Sequence, residues 1–168
     1  SIGISGMMGS GKSEALKFFR NRRIPSVDLD LESKKLIKKD TLCYKKLIRK
    51  FGYAILNKNL TINRKKLREI IFNSEQKRME LNNIVHPELI KRVKAISEAN
   101  LIKGKTMVVF EGALISKKTK MGSRLDKIIF IDSPKKLLIK RIVKRYSIDE
   151  KSAIKLLNTQ KNIKKNRN

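Results

Sequence analysis

Eight residues near the start of the chain, Gly6-Met7-Met8-Gly9-Ser10-Gly11-Lys12-Ser13, follow the spacing G-x-x-x-x-G-K-[ST]. The residue types suit one task, holding a phosphate chain. Glycines let the backbone curl until successive N–H groups face a common anion at a helix start. Lys12 is then the one side-chain cation in reach of β- and γ-phosphates, and the Ser13 hydroxyl is a hard oxygen donor for Mg²⁺. Gly9, Ser10, Gly11, Lys12, Ser13 and Glu14 therefore form the candidate nucleotide-binding segment, with ATP as ligand. Glu14 places a negative charge in the first helical turn, which favours the helix dipole while repelling a triphosphate slightly.

A second set of groups lies in Asp28-Leu29-Asp30. If the segment is extended, the two carboxylates share one side. One would accept a hydroxyl proton while the other holds a metal ion or its waters. The pattern also fits a plainer role, because Asp30 precedes the helical-looking LESKKL and would cap it.

The motif needs a strand before it and a helix after it. Ile2 to Ser5 reads as a short buried strand, and Lys12 to about Arg22 keeps Ala15, Leu16, Phe18 and Phe19 at helical spacing. IPSVDLD reads as extended. From about Glu32 to Lys103 the pattern is helical, with Ile62, Leu67, Ile70 and Ile71 near one face and Pro87 expected to break or kink its segment. TMVVFEG (Thr106–Gly112) and KIIFID (Lys127–Asp132) are continuous apolar runs, as in parallel strands covered on both faces. Helical stretches follow at Lys135–Tyr146 and Asp149–Gln160, then a polar tail. This order predicts an α/β fold around a parallel sheet with right-handed crossovers.

The formal net charge is +27, from 42 Lys and Arg against 15 Asp and Glu. Such a surface attracts anionic metabolites. The basic residues are dispersed and aromatics make up only 5%, too few for a base-stacking platform, so composition disfavours nucleic acid as the principal partner. No apolar run reaches membrane-span length and no secretory leader is visible, which excludes a membrane role on this reading. Cys43, the single cysteine, reads as a small buried hydrophobe and fits a reducing, cytoplasmic setting. Guanine-reading N-K-x-D motifs are absent, which points away from a GTPase switch.

The order of IGISGMMGSGKS, VDLD, FGYAIL, NRKKLREIIF, LNNIVHPELI, KIIFIDSP and KRIVKR resembles the dephospho-CoA kinase family from Ile2 to about Gln160. The phosphate loop is shared by a wide superfamily; the Asp-x-Asp, the segment Arg64–Phe72 and the His86-Pro87 pair are more specific. The resemblance implies transfer of the ATP γ-phosphoryl group to the ribose 3′-hydroxyl of dephospho-CoA, the last step of coenzyme A synthesis. It implies a P-loop NTPase core at 1–30 and 105–134, a helical CoA-binding insertion at 31–104, a small helical lid at 135–160 and a tail at 161–168. Asp30 matches the family's proposed base, with Lys12, Arg141 and Arg145 as its catalytic cations. Arg64, Arg68 and His86, with Asp28, fall among the residues expected to hold the phosphoryl acceptor.

Three departures from the family pattern stand out, the first being Glu14 where the family usually continues G-K-S with Thr. The segment after the third strand reads Glu111-Gly112-Ala113-Leu114-Ile115 where the family has an aspartate, so Glu111 reaches toward the Mg²⁺ shell on a longer arm. The chain also lacks the family's final strand and helix and an initial Met, so trimming at both ends is expected. A nucleoside monophosphate or other small-molecule kinase remains an alternative, as does a basic nucleic-acid-binding P-loop protein. The expected assembly is a monomer or weak oligomer.

Overall fold

Small and β-branched residues in Ile2–Gly6 build the first strand, β1, which pairs with a neighbour on each side. Residues 1–72, 74–112 and 115–160 are described in the computed structural model. After β1 come α1 (Lys12–Asn21), β2 (Ser26–Asp28), α2 (Leu29–Leu36), α3 (Leu42–Phe51), α4 (Arg64–Phe72) and α5 (Glu75–Ile102). Then follow β3 (Val109–Glu111), β4 (Lys127–Ile131), α6 (Lys135–Tyr146) and α7 (Glu150–Asn158). The α/β architecture and parallel sheet are as expected: the strand order is β2-β3-β1-β4, and every pairing is parallel.

Contacts divide the chain into two units, Ser1–Leu29 with Ser97–Asn168, and Asp30–Ile96. In the first, Ile4, Leu16 and Val109 form a buried cluster that fixes α1 on the sheet, supported by Ala15, Phe19 and Ile131. A second cluster packs Leu138, Ile139 and Ile142 of α6 with Ala153 and Leu157 of α7 and with Met7 of the phosphate loop. The α7 start is capped by Asp149, whose carboxylate accepts the Ser152 N–H at 2.8 Å. That bond holds the Asp149 carboxyl below its ordinary range.

The second unit has its own core of Tyr44, Leu47, Ile55, Leu56, Ile62 and Leu67. Its α3 starts on a Thr41 cap that accepts the Tyr44 N–H. Cys43 is buried there, and burial raises its thiol pKa, so it acts as a packed apolar group.

Four expectations need correction. Asp30 is not extended beside Asp28: β2 ends at Asp28 and α2 starts at Leu29, so Asp30 lies in the first helical turn. Two-residue strand spacing therefore does not align the pair; the carboxylates favour a helix start, and that preference wins. Of the break or kink expected at Pro87, the break does not occur, since α5 runs from Glu75 to Ile102 through it. Proline removes one helical bond, and Val85, Leu89 and Val93, buried four residues apart, hold one side of the helix across that point. β3 is buried throughout, but β4 is one of the two outer strands of the sheet and exposes Ile129. Ile62 precedes α4 and pairs with Leu56 in an isolated bridge, although it joins the same core as Leu67.

Candidate active site

The phosphate loop leaves β1 at Gly6 with φ +150°, where an added Cβ would collide with the Ile131 carbonyl and crowd Ser10 Oγ at 2.7 Å. Gly11, φ +102°, is left-handed and starts α1 without a side-chain cap. A capping side chain would take up N–H groups that an anion needs, so its absence suits the motif. Among the described residues, the N–H groups of Gly9, Gly11 and Ser13 have no acceptor in the protein. The Ser10 N–H is used by Met7 O at 3.1 Å. Ser10 Oγ is buried without a partner among the described residues, packed against Gly6.

Lys12 folds back over this loop: Nζ donates to Gly6 O at 2.9 Å and Met7 O at 3.0 Å. Phosphate oxygens are stronger acceptors than those carbonyls, so the ammonium is placed to exchange them. Ser13 stands exposed at the next position, and Glu14 is exposed in the first turn of α1.

Three side chains tie the loop from outside. Ser133 Oγ donates to Ser10 O at 3.0 Å, Arg141 Nη1 donates to Gly9 O at 2.9 Å, and Gln160 Oε1 accepts from the Met8 N–H at 2.7 Å. The structure thus brings Arg141 to the phosphate loop. It does not bring Arg145 there: that guanidinium lies over its neighbour Tyr146, 5.6 Å from the ring centre.

Beside the loop, two carboxylates share the carboxyl edge of the sheet. Glu111 is the register partner of Ile4 on one side and of Asp28 on the other. In-register residues on parallel strands point to the same face, and neighbouring strands are about 4.8 Å apart. Asp28 and Glu111 are therefore a side-by-side pair, with Glu111 only 6% exposed. Sequence reasoning paired Asp28 with Asp30 instead; only the strand order reveals Glu111 as its neighbour. Ala113 and Leu114 of the following segment lie outside the described residues.

In the second unit, Arg64 opens α4 and Arg68 follows one turn later, both exposed. Arg64 lines a hollow of about 140 Å³ together with Lys38, Lys39, Ile37, Thr61 and Ile62. Among the described residues none of its three cations is ion-paired, so the hollow carries uncompensated positive charge. His86 is surface-exposed on α5; the protein around it disfavours the imidazolium and holds its pKa below the ordinary value. Asp30 is exposed.

One buried acid escaped sequence reasoning. Glu32 of α2 accepts from Lys35 at 2.6 Å and from Arg92 of α5 at 3.2 Å. Its burial opposes ionisation, but the two cationic donors outweigh it and hold the carboxyl below its ordinary range. No sequence motif marks Glu32, since Arg92 is sixty residues away.

Among the described residues, no group of three or more His, Cys, Asp and Glu side chains could hold a metal ion by itself. Among the described residues, no helix is long and apolar enough to cross a membrane.

The family model for dephospho-CoA kinase matches residues 1–168. The dephospho-CoA kinase of Bacillus licheniformis is 31% identical over 162 residues, covering 96% of this chain and 80% of that protein. The dephospho-CoA kinase of Coxiella burnetii is 31% identical over 159 residues, covering 95% of this chain and 78% of that one. Among solved structures, TT1252 from Thermus thermophilus superposes with a TM-score of 0.77 at 22% identity, over 99% of this chain and 82% of that one. Dephospho-CoA kinase from Campylobacter jejuni gives 0.62 at 24%, over 98% and 82%. These two establish the likeness of fold, and the full-length family match establishes kinship. The chain belongs to the dephospho-CoA kinase family.

Proposed function

We propose a division of labour among these residues for the reaction of the family, in which dephospho-CoA is phosphorylated by ATP to give coenzyme A. The phosphate loop binds the ATP phosphates through the N–H groups of Gly9, Gly11 and Ser13, with Lys12 moving from its loop carbonyls onto the β- and γ-phosphates. Ser10 shapes the loop through its backbone, its N–H held by Met7 O and its carbonyl by Ser133, and Glu14 favours the dipole of α1. The observation that carries the reading is this loop set beside the in-register carboxylates Asp28 and Glu111.

Ser13, Glu111 and Asp28 supply hard oxygen donors of the kind Mg²⁺ takes, the two carboxylates side by side at the sheet edge. Since no three-acid cluster exists among the described residues, most ligands of the ion would come from phosphates and water. Bound there, Mg²⁺ supplies neutralisation of the charge developing on the transferred group.

Asp30 orients the ribose 3′-hydroxyl and accepts its proton as the bond to phosphorus forms and the bond to the departing ADP oxygen breaks. A loose transition state asks mainly for orientation from that carboxylate. Arg64 and Arg68 hold phosphates of dephospho-CoA, helped by the uncompensated charge of Lys38 and Lys39 around the Arg64 hollow. His86 contacts the same substrate. Arg141 and Arg145 stabilise the moving phosphoryl group when α6 closes on it. A cytoplasmic, monomeric or weakly associating enzyme completes the reading, and the buried unpaired Cys43 suits a reducing compartment.

The test is an acceptor screen with ATP and Mg²⁺, comparing dephospho-CoA, AMP, CMP and shikimate. Turnover confined to dephospho-CoA is expected. Phosphorylation of AMP without dephospho-CoA would assign the site to nucleoside monophosphates.

A further inference from the structure

The phosphate loop has a support that no part of the reaction uses directly. Gln160 follows α7 in a turn held by the bonds Gln160 N–H to Leu157 O at 3.0 Å and Thr159 Oγ1 to Leu156 O at 2.7 Å. That turn aims its side chain back across 152 residues of sequence, where Oε1 accepts the Met8 N–H at 2.7 Å. The donor is a backbone N–H, so the amide must present oxygen, and its orientation is fixed. The partner is partly buried, a setting in which a lost acceptor is costly.

This bond sits within a larger anchorage. Met7, the neighbour of Met8, is buried against Leu138, Ile139, Ile142, Ala153 and Leu157, while Met8 packs on the margin of that cluster. Arg141 holds the carbonyl of Gly9. The Met8-Gly9 dipeptide is thus gripped at both ends, by its first N–H and its last C=O. With the Met8 N–H committed to Gln160, the loop is left to offer Gly9, Gly11 and Ser13 to an anion. Arg141 is a cation with its own role in the proposed reaction; Gln160 is neutral, and its side chain bonds the loop at Met8.

We infer that Gln160 is a positioning residue for nucleotide binding: it pins Met8 so that the following N–H groups keep the curvature that receives phosphates. It thereby links the end of α7 to the affinity for ATP. This rests on the phosphate-loop reading given above.

The test compares Gln160→Met, which keeps length but loses the acceptor, with Gln160→Glu, which keeps an acceptor oxygen. ATP affinity by calorimetry, KM for ATP and for dephospho-CoA, kcat and Tm are measured, with Lys12→Ala as reference. Gln160→Met should weaken ATP about fivefold, the scale of one net hydrogen bond, with KM for dephospho-CoA unchanged. Gln160→Glu should return ATP affinity to within about twofold of the unmodified chain, on the same scale. The rescue and the split between substrates are what a merely structural contact would not give. Wild-type ATP affinity in Gln160→Met, with Lys12→Ala impaired, overturns the inference and leaves the phosphate loop in place. Equal impairment of Gln160→Met and Gln160→Glu, or equal loss for both substrates, overturns it too. Unchanged ATP binding in Lys12→Ala overturns the phosphate-loop reading and this inference with it.

Discussion

Gly11→Ala separates the folding role of the loop from its binding role. Gly11 has φ +102°, and an added Cβ would meet nothing nearer than Arg141 Nη1 at 3.9 Å. The cost is therefore backbone strain alone, about 1–2 kcal/mol for a non-glycine residue in the left-handed region. Gly104, in the turn after α5, has φ +71° and nothing within 4 Å of its Cβ position, so Gly104→Ala is the matched control. Both variants should lose about 2–8 °C in Tm, from roughly 2–4 °C per kcal/mol at this chain length. Only Gly11 adjoins the N–H groups offered to phosphate. If the loop relieves its strain by rotating a peptide, those donors turn away, and the same 1–2 kcal/mol becomes an ATP Kd raised about 5–30-fold. Scanning calorimetry gives Tm and titration calorimetry gives Kd. Wild-type ATP affinity in Gly11→Ala, or an equal loss in Gly104→Ala, would refute the reasoning.

Asp30→Asn should lower kcat about a hundredfold with ATP affinity little changed, the usual scale of a general base. Asp28→Asn should act through the Mg²⁺ requirement, seen as a raised Mg²⁺ concentration at half-maximal rate; exchange of the two behaviours would make Asp28 the base. Arg141→Ala should lower kcat and loosen the loop it holds at Gly9, whereas Arg145→Ala should affect kcat without changing ATP affinity in the absence of dephospho-CoA. Glu32 gives a pH signature. Its folded-state carboxyl lies below the ordinary 4.5, so its stabilisation is complete above that value and is lost as pH falls through the folded one. Glu32→Gln should cost about 1–2 kcal/mol at neutral pH and give a Tm that falls less steeply on acidification below pH ~4.5. Parallel Tm curves for the two proteins would remove Glu32 from the acid response.

What could be read from the sequence was what lies close together in it. The phosphate loop is eight consecutive residues, and its strand and helix are set by neighbours such as Ile4 and Leu16, so both its chemistry and its context were legible. The bounds of α6 matched the apolar periodicity of Lys135–Tyr146, because a helix face is a local pattern. The Asp28–Glu111 pair was hidden, since it depends on β3 lying between β2 and β1 in the sheet. Asp30 was misread because a three-residue strand ends where a helix with two acids in its first turn begins, and alternation over so few residues cannot locate the switch. The Glu32–Arg92 and Gln160–Met8 bonds were invisible for a further reason. A polar side chain carries no sign of the distant group that it will satisfy.

The most direct test of the central claim is ³¹P NMR of the full chain mixed with ATP, Mg²⁺ and dephospho-CoA. The expected result is equimolar growth of ADP and of a ribose 3′-phosphate monoester, with both signals abolished in Lys12→Ala. ADP accompanied by free phosphate and no new monoester, or full activity in Lys12→Ala, would contradict the account.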